Sequence, residues 1–250
     1  MSGEHTDYDD HTVVGCPLCG ATHTKGFMLC GTLFEPPELD FRAGSLVRFL
    51  LEQAIAECPA CHFCFDNWLP AEYTPRVDSP LLTRFVASPE YQRPLARVDR
   101  APLGRRFEAR GSIAADGGDH LAHALYYVVA AWAYDDAHQA EAALHARRAA
   151  LDALATDFRG TSRHFEEYAL EDFRVLRFEG AADLLRADLL RRAGDFSSAQ
   201  AVAERATRNS AMTQWLHLRF GALLAAIEQS DDGARQAPLE SWWDSPWRQR

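Results

Sequence analysis

Six cysteines are the residues of this chain best suited to chemistry, and their spacing narrows what that chemistry is. They stand at positions 16, 19, 30, 58, 61 and 64, and the rest of the chain has none. Cys16-Pro17-Leu18-Cys19-Gly20 and Cys58-Pro59-Ala60-Cys61-His62 are two matched CPxC pairs. Two intervening residues let both thiolates of a pair face one ion at about 2.3 Å, proline fixes the turn, and a following glycine permits a positive φ. Together the pairs supply the four ligands of a tetrahedral structural site. Cys16, Cys19, Cys58 and Cys61 are therefore predicted to hold one metal ion, zinc first and iron as the alternative. Such an ion closes a loop of about 40 residues in a module whose own core is marginal. Structural zinc is worth about 10–16 kcal/mol in model peptides, against a net stability of about 5–15 kcal/mol for a whole domain.

Three rival readings use the same thiols. Disulfides need an oxidising compartment, and the polar, acidic start of the chain lacks the basic residues and apolar run of an export signal. A redox dithiol at a helix start lacks the surrounding βαβ pattern. The third is iron: the knuckles are similar to those of rubredoxins, which implies electron transfer or thiol redox chemistry as the alternative function. His62, Cys64 and Cys30 are the reserve ligands. Cys64 would replace a knuckle thiolate if His62, standing where the first knuckle has Gly20, distorted its turn. Otherwise Cys30 and Cys64 are dispensable, and Cys64 packs as a small hydrophobe. His5 and His11 belong to a solvated tail.

The elements that must position this site divide the chain by composition. Residues 1–12 read as a disordered tail and 13–70 as the zinc-knuckle module, with a short helix over 45–56 whose last residues compete as strand. Six prolines between Pro70 and Pro102 exclude long helices there, so 71–118 reads as a connector with one short helix near 81–86. From 119 to 230 the period is helical, with helices expected over 119–134, 139–157, 166–193, 197–208 and 210–229. In the third, Phe173, Leu176, Gly180, Leu184, Ala187 and Leu190 make one buried stripe. Links this short fold consecutive helices back as antiparallel hairpins. Residues 231–250 form a tail in which Trp242, Trp243 and Trp247 expose too much apolar surface to stay solvated, making them candidate partner-binding or self-docking residues. The fold class expected is mainly α: a small zinc-ribbon-like module followed by helical hairpins.

The net charge of −10, with Lys25 the only lysine, argues against nucleic acid as a partner. No apolar stretch is long enough for a membrane helix, and the expected location is the cytoplasm. The remaining candidate groups do not assemble into a catalytic set. His120, His123, His138, His145, His164 and His217 are scattered, while Asp135-Asp136 and Glu166-Glu167 read as solvated helix ends. Nothing resembles a nucleophile elbow, a phosphate loop or a zinc-protease helix.

Residues 187–206, with Ala187, Ala199 and Ala206 at close-contact positions and Gly194-Asp195-Phe196 at the turn, resemble the middle of a tetratricopeptide repeat. Asp183 and Arg186 stand where that repeat favours large apolar residues. The order of parts resembles an uncharacterised bacterial family, domain of unknown function twenty-two twenty-five, which pairs CPxC knuckles with tetratricopeptide-like helices. The likeness rests on Cys16 and Cys19, Cys58 and Cys61, Ala131-Trp132-Ala133-Tyr134, and residues 189–196; His62 and Phe63-Cys64 depart from it. It implies metal binding and a helical scaffold, and no reaction. The function expected is a non-catalytic scaffold whose groove receives a protein or peptide, with self-association open. The knuckle module is expected to be separable: losing Cys58 or Cys61 should free the metal and leave the helices beyond residue 119 intact.

Overall fold

The computed structural model describes residues 12–25, 38–42, 50–66, 77–154, 176, 178–209, 212–235 and 238. Cys30, His5, His11, Trp242, Trp243 and Trp247 lie outside them, as does most of the segment before α7. The described chain is mainly helical, with two small antiparallel sheets.

Each sheet is one hairpin, and each hairpin carries one knuckle at its tip. β1 (Thr12–Gly15) pairs with β2 (Thr22–Lys25), Val14 opposite His23. After α1 (Leu50–Ala54) the chain enters β3 (Ile55–Glu57), which pairs with β4 (Cys64–Asp66), Ala56 opposite Phe65. The expected helix here thus gives way to strand at Ile55, and the strand leads directly into Cys58 of the second knuckle.

The span 71–118 departs from the expected connector, for it contains three helices: α2 (Pro80–Val86), α3 (Pro89–Leu95) and α4 (Pro102–Asp116). The prolines that argued against helix start these three. At the first helical position a proline forfeits only an N–H that has no intrahelical partner, and its φ is already helical. Ser79 and Ser88 complete the starts, their hydroxyls accepting from the N–H groups of Leu82 and Tyr91.

α5 (His120–Asp136) is buried on nearly every side between α4 and α6 (Ala140–Leu154). α7 (Ala181–Arg192), α8 (Phe196–Thr207) and α9 (Gln214–Glu228) pack in sequence, with α7 also touching α6 and α9. α7 starts at Ala181 because Gly180, placed in a buried stripe by the sequence pattern, is its N-cap at φ 88°. The links after α4, α5 and α7 are three-residue turns of one kind. Asp119, Gln139 and Asp195 donate their N–H groups to Ala114, Tyr134 and Leu190 across left-handed residues Gly118, His138 and Gly194. One apolar cluster runs from Cys16, through Leu39, Phe41, Cys58 and Phe65, to Ile227 in α9, so knuckles and helices share a core.

Candidate metal centre

The two knuckles are built alike, atom for atom in the backbone. In the first, Cys16 N–H donates to Ala21 C=O (2.8 Å) and Gly20 N–H to Cys16 C=O (2.9 Å). In the second, Cys58 N–H donates to Phe63 C=O and His62 N–H to Cys58 C=O, both at 2.9 Å. Gly20 has φ 79° and His62 φ 60°. His62 therefore accepts the left-handed conformation and leaves the turn undistorted, while its Nδ1 hydrogen-bonds Glu57 Oε1 at 2.9 Å. The side chain of the odd residue points away to an acid, and the ligand geometry survives.

The hairpins bring all four predicted thiols together. Cys16 Sγ lies 3.7 Å from Cys61 Sγ and Cys19 Sγ 3.5 Å from Cys58 Sγ, and all four sulfurs fall within 4.8 Å of one another. A tetrahedron with metal–sulfur bonds of about 2.3 Å has edges of about 3.8 Å, so the spacing fits a four-thiolate ion. These cysteines are free thiols, as is Cys64. Among the described residues no other group of three or more His, Cys, Asp or Glu ligand atoms is close enough to share an ion. Backbone N–H groups support the sulfurs: Cys19 N–H donates to Cys16 Sγ and Ala60 N–H to Cys58 Sγ. Burial raises the Cys19 thiol, but hydrogen bonds from Ala21 N–H and from the neighbouring thiols outweigh it and bring Cys19 down to about 7. Burial pushes the Cys16 and Cys61 thiols up. Cys16 and Cys58 are buried, Cys61 is half-buried and Cys19 is exposed, so the centre has one open edge.

Cys64 is outside this set. It lies in β4, fully buried, its sulfur 3.8 Å from His62 C=O, and burial pushes its thiol up to about 12. Its backbone is held from α3: the Tyr91 hydroxyl accepts from Cys64 N–H (2.7 Å) and donates to His62 C=O (3.0 Å). Tyr91 thus pins the second knuckle to the helices. Asp66, at the end of β4, accepts from Arg110 of α4 (3.1 Å) and from the Tyr126 hydroxyl of α5 (3.1 Å).

Sequence reasoning missed a second cluster entirely. Asp135 is not the solvated helix end expected of it, whereas Asp136, the last residue of α5, is exposed. Asp135 pairs with Arg147 and, at 2.7 Å, with Arg192, and Asp136 pairs with Arg42. Residues 38–42, from the loop between the knuckles, run through this cluster as a buried strap. Asp40 accepts from Trp132 Nε1 (2.7 Å) and from Arg192 (3.1 Å), and Arg42 donates to Trp132 C=O (3.3 Å). Arg219 of α9 donates to Glu38 C=O (3.2 Å) and lies over the Phe41 ring. Burial disfavours the Asp40 charge, but Arg192, Arg42 and Arg147 outweigh it and hold its carboxyl below the ordinary value. The partners are 90 and 152 positions apart in the chain, so no local pattern announces them.

An open groove of about 450 Å³ lies beside the start of α6, lined by Arg97, Asp99, Arg100, His138 and Glu141 among others. Its arginines are already engaged, Arg97 by Asp99 and Arg100 by the buried Glu108. His123, in the first turn of α5, packs against the Tyr127 ring. Among the described residues no helix is long and apolar enough to cross a membrane. Comparison with protein-family models, curated proteins and solved structures returned no match, so the reading of the site rests on its own geometry.

Proposed function

We propose that this protein is a non-catalytic zinc-binding scaffold: a zinc-ribbon-like pair of knuckles fastened to tetratricopeptide-like hairpins that present a surface to a protein or peptide in the cytoplasm. The observation that carries the metal half is the pairing of two backbone-equivalent knuckles whose four sulfurs stand at tetrahedral spacing. Zinc is favoured because four thiolates closed by local turns are its commonest structural setting. The scaffold half is supported by the repeated three-residue turn, with the Asp119 and Asp195 side chains capping the following helices. That arrangement of knuckles and hairpins is also what membership of the domain-of-unknown-function family twenty-two twenty-five would imply.

Metal analysis of the purified chain tests the first half. One colourless zinc per chain is expected, and a metal-free protein whose four thiols all titrate freely would overturn it. Capture of a stoichiometric partner from native lysate tests the second half. Rubredoxin-like electron transfer is the second reading, and the exposed edge at Cys19 favours it, because it brings one sulfur ligand to the surface where a redox partner could approach. Visible thiolate-to-iron absorption in the purified protein would select it.

A further inference from the structure

We infer that the metal centre and the buried ionic strap are one coupled device, so that metal occupancy governs how firmly residues 38–42 are seated in the helices. This rests on the metal-binding reading above. The strap occupies the stretch of chain that joins the two knuckles, and its seat is made by the helices and by Arg235 beyond α9: Leu39 and Phe41 are buried, Leu39 N–H donates to Arg235 C=O, Asp40 is held from α5 and α7, and Arg219 of α9 grips Glu38. The second knuckle is fixed to the same helical body independently, at α3 through Tyr91, at α4 and α5 through Asp66 with Arg110 and Tyr126, and at α4 through Glu57 with Arg106 at 3.6 Å. The first knuckle meets that body through its sulfurs, which face Cys58 and Cys61, through Val77 N–H bonded to Pro17 C=O, and through Cys16, Leu18 and Ala21 on the shared apolar core.

The consequence is a closed circuit of second knuckle, helices, strap, first knuckle and metal. A seated strap anchors to the helices a point of the sequence between Cys19 and Cys58 and so raises the local concentration of the first thiolate pair at the second. By thermodynamic reciprocity, the ion that joins the pairs must hold the strap down by the same factor. The knuckles are then not a separable module. Losing the metal loosens the segment that carries Asp40, which pairs with Arg192 inside the fold, and Arg42, which pairs with Asp136 at the exposed end of α5. Helices α5 and α7 therefore respond to metal at a distance in sequence.

Hydrogen exchange on the full chain, with zinc and after chelation, reads the coupling directly. The amides of Glu38, Leu39, Phe41 and Arg42 are all hydrogen-bonded in the seated strap, to Arg42 C=O, Arg235 C=O, Glu38 C=O and the Asp40 carboxylate. Chelation should speed their exchange about tenfold or more, within the usual range of coupling between sites. The reverse arm is zinc affinity, measured by competition with a chromophoric chelator, in Asp40→Asn and in Leu39→Ala. Both should bind one zinc about tenfold more weakly than the wild type. Strap exchange unchanged by zinc removal, or unchanged affinity in a variant that remains folded, overturns the coupling and leaves the metal site standing. A wild-type chain that binds no metal overturns both.

Discussion

The knuckles and the helical body are stabilised in opposite ways. The knuckles hold four like ligands at the tips of two hairpins, and within each knuckle every contact that shapes the site spans a few residues. The helical body is held by apolar packing around α5 and by ion pairs between residues scarcely related in sequence, such as Asp40 with Arg192. The difference is one of where the energy resides. A thiolate site concentrates it in one ion that comes and goes with solution conditions. A buried ionic network spreads it over side chains that cannot leave, and it is weak evidence for stability until a partner is removed and a charge is stranded.

The largest expected effect is at the ion. Cys58→Ser removes a buried ligand and should abolish stoichiometric metal binding, while Cys64→Ser should retain it; metal analysis of the two variants distinguishes them. If Cys64→Ser lost the ion instead, the ligand set would be wrong and the local character of the knuckle with it.

The next effect is in the network. Arg192→Met leaves Asp40 and Asp135 without one of their cations, and stranding buried carboxylates should cost about 3–5 kcal/mol in urea unfolding. The same network sets an acid limit. Asp40 has a folded-state pKa below its ordinary value of 3.8, so its contribution is complete above that pH and is lost as pH falls through the folded value. Metal release, in which protons compete for thiolates, should come at higher pH. Acid titration followed by both a metal indicator and near-ultraviolet circular dichroism should therefore give two steps, metal first. A single coincident step would erase the contrast between the regions.

Packing effects are smaller. Gly104 in α4 faces the Tyr134 ring so closely that an added Cβ would stand 2.3 Å from it. Gly104→Ala should destabilise by about 1–3 kcal/mol, measured by thermal unfolding, through overpacking at the α4–α5 contact. The smallest effect has the opposite sign. His62 holds a left-handed backbone at a cost of roughly 1–2 kcal/mol, which glycine would relieve at some expense in unfolded-chain entropy. His62→Gly should raise stability by about 0.5–1 kcal/mol with the metal stoichiometry unchanged. A loss of metal would mean that the Glu57 contact, rather than the turn, secures the second knuckle.

What the sequence determined by itself is what spacing can encode. CPxC selects a turn and a ligand pair whatever surrounds it, and alanine-rich helical periodicity broken at Asp135-Asp136 and Gly194-Asp195 marks hairpins, because three-residue links leave the chain no other course. Proline was misleading between 70 and 118 because its meaning depends on position: inside a helix it breaks the ladder, whereas at the first turn it starts one. Only the tertiary structure decided that residues 38–42 would enter the helical core, that Asp135 would face Arg147 and Arg192, and that Tyr91 would reach across to the second knuckle. These are pairings between distant residues, each tolerable only because another buried charge or hydroxyl arrives at the same place, and a local pattern carries no record of what will be opposite it.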